Sequence, residues 1–283
     1  MADSMTVSAS TPLLDRRRTA NVSAANVPAE AFARDGFLSL DSLTTPDDIE
    51  LIRSLLDPLF ERFESLGDRA IDYAGRRESG APPRVPEINR AIILEPRLRQ
   101  TLAYARCREM ARELLGVPVG YTFDHCIFKA PHSETPTDWH QDESYNVKPL
   151  PLWAAHFWIP LQPVTEQNGC MWFVPGSNRG GLQEHYAASQ RYNAANKLTR
   201  ESTLAVANVD RSKAVACPLP VGGATVHHPM TLHYTGANET DGYRKAWILH
   251  FSAYGQARRQ FHPKVLAWKF RNSLARVKRL VSR

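Results

Sequence analysis

Apolar and polar positions alternate with two different periods along this chain, the helical period first and the strand period after it. Thr45-Pro46-Asp47-Asp48 predicts a helix start, with a capping hydroxyl, a proline where its missing N–H is not needed, and two acids against the positive end of the dipole. Ile49, Ile52, Leu55, Leu56, Leu59 and Phe63 then mark one buried face, and Pro58 is expected to kink it. A second helix is expected from about 96 to 115, with Leu98, Leu102, Met110 and Leu114 on its apolar side and Gly116 closing it in the left-handed conformation. Beyond Gly116 the runs shorten and read as strands at 119–129, 153–161, 171–174, 224–228 and 245–254, separated by Pro, Gly, Asn and Asp. Helices followed by many short strands predict a β-sandwich or barrel with the N-terminal helices against it. The polar stretch 177–213 shows little alternation and is expected to be a lid or binding loop.

Composition narrows the class. With 43% hydrophobic and 23% charged residues in 283, the chain has the makeup of a folded globular protein. No apolar run approaches the roughly 18 residues a membrane span needs, and the first residues lack a secretory apolar stretch, so a cytoplasmic location is the default expectation. Residues 1–25, rich in Ser, Thr and Ala, are expected to form a disordered leader, residues 26–255 the folded domain, and 256–283 a basic tail or helix. The four cysteines stand alone, without a CxxC, and read as reduced, buried thiols. The net charge of +6 is concentrated at one end: nine Lys or Arg and no acid follow position 255, leaving 26 basic against 29 acidic residues elsewhere. That distribution argues against nucleic acid as a partner. The tail reads either as a helix with a solvated cationic side or as a weak contact with an anionic membrane surface or acidic partner.

The chemistry centres on Thr137-Asp138-Trp139-His140-Gln141-Asp142. Alternate side chains of a strand share a face, so His140 and Asp142 are expected to aim an imidazole nitrogen and a carboxylate oxygen at one ion. A histidine-rich cluster, Val226-His227-His228-Pro229-Met230-Thr231-Leu232-His233, follows about ninety residues on, with Arg244 beyond it. Two imidazoles and one carboxylate on one side of an octahedral ion are the set that suits iron(II), because three neighbouring positions stay open for a bidentate oxo acid and dioxygen. Arg244, at the start of an apparent strand, offers a planar, permanently charged fork for a carboxylate.

In order and spacing, several segments together resemble the phytanoyl-CoA dioxygenase family of 2-oxoglutarate oxygenases: Phe32-Ala33-Arg34-Asp35-Gly36-Phe37-Leu38, IFKAP at 127–131, WHQDESY at 139–145, FWIPLQPVTEQNGCMWFVPGSN at 157–178, and HHPMTLHYTGANETDGYRKAWILHFSAY at 227–254. The resemblance implies a mainly β fold with flanking α: a double-stranded β-helix, the cupin-like jelly-roll, with the N-terminal helices packed on one sheet. It implies Fe(II) held by His140, Asp142 and His233, with 2-oxoglutarate and O2 as co-substrates and ascorbate as a reductant. It places the co-substrate arginine at Arg244, a pocket lysine at Lys129, a tryptophan wall at Trp158 and a small hydroxyl at Thr235. His228 is read as structural or supporting, His227 as a satisfied strand histidine, and the other histidines as core or surface.

The implied activity is hydroxylation of an unactivated C–H bond of a small-molecule, acyl or carrier-bound substrate, an anionic one being slightly favoured by the basic tail, with succinate and CO2 released and desaturation as the alternative outcome. Tyr145 and Asn146 are expected on the substrate side. Halogenases of related fold replace the carboxylate ligand by a small residue, so Asp142 favours hydroxylation. The competing reading is a catalytically silent member that binds a metabolite or a protein; it gives no reason for His140, Asp142, His233 and Arg244 to occur together.

Overall fold

Thirteen strands form two antiparallel sheets among the residues that the computed structural model describes, 29–145 and 153–253. The larger sheet runs β1 (Phe37–Leu40), β11 (Ala224–His227), β6 (Ala154–Pro160), β13 (Arg244–Ser252), β4 (Gly120–Lys129), β3 (Pro86–Asn89), β2 (Ala70–Asp72), β8 (Tyr186–Asn193), β9 (Leu198–Ala205). The smaller runs β10 (Val215–Cys217), β7 (Met171–Phe173), β12 (His233–Thr235), β5 (Thr137–His140). This is the jelly-roll that the resemblance implied. The expected leader, the basic tail and Asn146 lie outside the described residues.

Four helices, α1 (Ala29–Asp35), α2 (Pro46–Glu61), α3 (Ala91–Leu94) and α4 (Leu102–Leu115), precede β4. Thr45 caps α2 as expected, its hydroxyl accepting the Asp48 amide at 3.2 Å. The helix runs through Pro58 and ends three residues later, at Glu61. The second expected helix divides: residues 96–100 form a 3-10 turn, and α4 starts after Thr101, whose hydroxyl accepts the Tyr104 amide. Buried Asp48 completes this start from outside, accepting the amides of Leu102 and Ala103 at 2.9 and 2.8 Å. Gly116 ends α4 at φ 60°, a left-handed cap that a side chain would strain.

The large sheet separates two interiors because strand side chains alternate. Trp247, Leu249 and Phe251 of β13, Phe157 and Ile159 of β6, Cys126 and Phe128 of β4, and Val226 of β11 pack outward into one core with α2 and α4. Their alternates face the inside of the roll, where Trp158, Ala246 and Ile248 join Met171 and Phe173 of the small sheet. All four cysteines are buried and free. Among the described residues no helix is long and apolar enough to cross a membrane.

The stretch 177–213 departs from expectation. Its middle is not a loop: β8 and β9 form a hairpin that lines the cavity and joins the large sheet through β2, with Ile71 opposite Asn193 and Asp72 opposite Tyr192. Its residues are mostly exposed or half-buried, so the alternation that announces a strand is faint in the sequence.

Candidate metal centre and its cavity

His140 is the last residue of β5 and His233 the first of β12, and the two face each other across that pairing with ring centroids 4.1 Å apart. Asp142 lies beyond the strand end, opening a 3-10 turn that runs to Tyr145. The H-x-D pair thus converges by a turn, not by alternation along one strand. Asp142 Oδ1 lies 3.3 Å from His140 Nε2 and 3.4 Å from His233 Nε2, and the three ligand atoms lie within 4.8 Å of one another. Both rings are oriented alike. His140 Nδ1 donates to the Asp138 carbonyl at 2.6 Å and His233 Nδ1 to the Thr231 carbonyl at 2.9 Å. A carbonyl only accepts, so each imidazole carries its proton on Nδ1 and turns a bare Nε2 inward. Burial opposes charge on His140, and neighbouring His233 adds to that effect. Burial works against the Asp142 carboxylate too, but the imidazoles around it, with hydrogen bonds from His156 and His227, outweigh it and hold its pKa well below the ordinary value. Neutral imidazole and ionised carboxylate are the forms that ligate a metal.

The other oxygen of Asp142 is committed to the large sheet. Oδ2 accepts from His156 Nδ1 at 2.6 Å and from His227 Nε2 at 3.0 Å. His227, His156 and His250 stand side by side on β11, β6 and β13, and His125 of β4 lies one pair further on, so four imidazoles cross the inner face of the sheet. At the far end His125 Nδ1 bonds Glu87 Oε1 of β3 at 3.0 Å. Asp142, His156 and His250 are also close enough to suggest a second metal trio. Their geometry argues otherwise, since His156 and His250 stack nearly parallel with centroids 3.7 Å apart. An ion shared between them would lie far out of both ring planes, off the nitrogen lone pairs. His228 shapes the adjoining turn, with its Nδ1 accepting the Met230 amide at 3.1 Å. Gln141, fully buried between the two ligands, ties three backbone stretches together: its amide donates to Gly181 and Met230 carbonyls at 3.0 and 2.7 Å and accepts from the Gln183 amide at 2.8 Å.

Arg244 opens β13 opposite Lys129 at the end of β4. Its guanidinium is 2% exposed, stands 5.5 Å from the Trp158 ring, and leaves Nε and Nη1 without a hydrogen-bond partner. Burial lowers its pKa to about 10. A buried guanidinium with open donors is the complement of a carboxylate, and this one lines the cavity that holds the triad. The site therefore fits both a metal and an oxo acid. Lys129 is placed differently from Arg244: its ammonium donates to the Thr235 hydroxyl at 3.1 Å and to the Gly236 carbonyl, anchoring β12 to β4. Burial pushes its pKa well down, with the Arg244 charge adding to the effect. Trp158, Thr235 and Tyr145 line the cavity, whose volume is about 1300 Å³. Tyr145 stands edge-on to the His140 ring, and its hydroxyl accepts the Leu204 amide of β9 at 3.0 Å, so the hairpin is fastened to the turn that bears Asp142.

Sequence reading takes His227 as a satisfied strand histidine and His125, His156 and His250 as core or surface and does not single out Glu87, whereas all five line the cavity. One signal was available: each shares the parity of a cavity-facing residue on its own strand, as His156 does with Trp158.

Residues 32–246 match the family model described as phytanoyl-CoA dioxygenase (PhyH). Phytanoyl-CoA dioxygenase domain-containing protein 1 of Bos taurus is 25% identical over 260 residues, spanning 78% of this chain and 87% of its own length. The structure of EvdO2 from Micromonospora carbonacea var. aurantiaca complexed with 2-oxoglutarate is 30% identical, superposes with a TM-score of 0.63, and is covered over 89% of its length by 79% of this chain. The epimerase SnoN in complex with Fe3+, alpha ketoglutarate and nogalamycin RO shares the fold at 23% identity and a TM-score of 0.59, over 83% of this chain and 88% of its own.

Proposed function

The chain belongs to the phytanoyl-CoA dioxygenase family and is an iron- and 2-oxoglutarate-dependent oxygenase, and on that premise we propose that it hydroxylates an unactivated C–H bond of a small-molecule or carrier-bound substrate. One atom of dioxygen enters the product alcohol and the other enters succinate, as 2-oxoglutarate loses carbon dioxide. The observation that carries the reading is the buried Arg244 guanidinium, its Nε and Nη1 without a hydrogen-bond partner, in the same cavity as His140, Asp142 and His233.

When bound, iron with 2-oxoglutarate and dioxygen supplies the oxidant that takes hydrogen from carbon. The protein supplies position. His140, Asp142 and His233 would hold the ion from one side, and the bonds of Oδ2 to His156 and His227 would leave Oδ1 of Asp142 to the ion. Arg244 would grip the distal carboxylate of 2-oxoglutarate, with Trp158 as a wall beside it. Thr235 presents its hydroxyl at the same end, and Lys129 acts on the co-substrate through Thr235. Tyr145, with Asn146 following it, borders the substrate side. An aspartate at the carboxylate position leaves no place for a halide, which favours hydroxylation over halogenation.

Anaerobic titration of iron(II) into protein with 2-oxoglutarate tests the reading. A weak visible charge-transfer band is expected in the wild type, lost in Asp142→Ala and weakened in Arg244→Ala. A folded wild type with no band and no tight iron site would favour the silent, metabolite-binding reading.

A further inference from the structure

His156 reaches the metal centre through one bond, from its Nδ1 to Asp142 Oδ2 at 2.6 Å. A carboxylate only accepts, so the His156 ring carries its proton on Nδ1 and has to present that edge to Asp142. Rotation about Cβ–Cγ would spoil this. Such torsions are broad and roughly two-fold, and a half-turn would put a ring carbon where the donor stands. The plane of the ring therefore has to be fixed from outside.

His227 meets His156 only edge to face, at 78° and 5.5 Å between centroids. His250 covers a whole face. It stands directly opposite His156 across the pairing of β13 with β6, and the two rings lie 3.7 Å apart with 16° between their planes. At that separation flat rings are in van der Waals contact, and a ring turning about Cβ–Cγ would sweep through the space His250 fills. His250 is itself clamped. Phe123, its neighbour on β4, meets it at 72° and 5.3 Å, and His125 meets it at 82° and 5.4 Å.

Nε2 of His250 is buried and makes no hydrogen bond. What the ring offers His156 is thus a flat face and not a polar contact. We propose that His250 is a positioning residue of the metal centre: its face locks the plane of the His156 ring, and through His156 it keeps the Asp142 carboxylate turned with Oδ1 toward His140 and His233. The proposal rests on the reading of these three residues as metal ligands.

NMR of the full, metal-free, nitrogen-15-labelled chain tests it first. The short His156–Asp142 bond should give a downfield imidazole N–H resonance, assigned by its disappearance in His156→Asn. His250→Phe, which keeps a flat ring, should retain that resonance. His250→Leu and His250→Ala, which do not, should broaden it by exchange with water while thermal melts show the fold intact. Anaerobic iron(II) titration should follow the same order: affinity within about twofold of wild type for Phe, and roughly two- to tenfold weaker for Leu and Ala, the range an aromatic pair contributes. No downfield resonance in the wild type, an unchanged resonance and iron affinity in either folded non-planar variant, or equal losses in Phe and Leu overturns the proposal. The metal-free arm keeps the two readings apart: a resonance that depends on a flat ring at 250, in a protein that forms no charge-transfer band, would discard the oxygenase reading alone.

Discussion

His156 Nδ1 lies 2.6 Å from Asp142 Oδ2, on the carboxylate oxygen that His140 and His233 do not face. With His227 at 3.0 Å on the same oxygen, the carboxylate is oriented from behind by two buried donors. Removing either should weaken iron(II) binding by roughly 10- to 100-fold, the usual effect of losing a group that orients a ligand. His156→Asn, which keeps a donor, should recover part of what His156→Ala loses. Anaerobic iron titrations of the three variants decide this, and unchanged affinity in both alanine variants would show that Asp142 orients itself.

Arg244 is a charge awaiting its partner. Its donors are open and burial lowers its pKa to about 10. Arg244→Ala should reduce 2-oxoglutarate affinity by about 2–4 kcal/mol, roughly 30- to 1000-fold, as expected when one side of a buried charged pair is removed. Arg244→Lys keeps the charge but loses the fork, and should recover only a minor part. The check is calorimetric titration of 2-oxoglutarate into manganese-loaded protein.

Acid sensitivity should trace in part to Glu87. Its folded-state pKa lies below the ordinary glutamate value of 4.5, with burial opposed by the His125 bond and the Arg191 charge. The unfolded chain therefore takes up the proton first as pH falls. Stability from this group is complete above about pH 4.5 and is lost progressively below it, toward the folded-state pKa. Glu87→Gln should flatten that acid limb in melts taken between pH 6 and pH 3, roughly the window in which a depressed carboxylate titrates. A limb of unchanged slope would assign the acid loss to other carboxylates.

Gly169→Ala should destabilise by about 1–3 kcal/mol. Gly169 sits at φ +84°, and an added Cβ would come within 2.7 Å of the Gly236 carbonyl oxygen and 2.9 Å of that of Ala237. Gly236 is also where the Lys129 ammonium is anchored, so the damage should reach the end of β12. Denaturant melts give the first effect, and loss of amide protection at 235–237 gives the second.

The parts of the site that were legible in the sequence are those whose chemistry is local. His140, Asp142, His233 and Arg244 stand out because few sequences need two imidazoles, a carboxylate and a strand-initial arginine in that order. The Thr45 cap and the Gly116 stop were readable for the same reason, since each acts on backbone within one turn. His227 is not, because its partner Asp142 is 85 residues away and only the packing of the large sheet over the small one brings them together. A histidine in the apolar run of β6 looks like a core histidine until the register shows what it faces. The hairpin β8–β9 does not read as strands because all but one of the side chains of Tyr186–Asn193 are exposed or half-buried, which erases the hydrophobic alternation. Asp142 was placed on a strand because two-residue spacing fits one, whereas the chain turns directly after His140.

Asp142 follows a strand of the small sheet, and its two outer bonds go to strands of the large one. The metal centre is thus also a rivet through the mouth of the roll, and the two layers cannot part there without breaking it. Iron should then add to a seam held by the two imidazole hydrogen bonds here and by Lys129 at the far end of β12, and a chelator should speed amide exchange along β5 and β12 while leaving β13, shielded beneath the helices, unchanged.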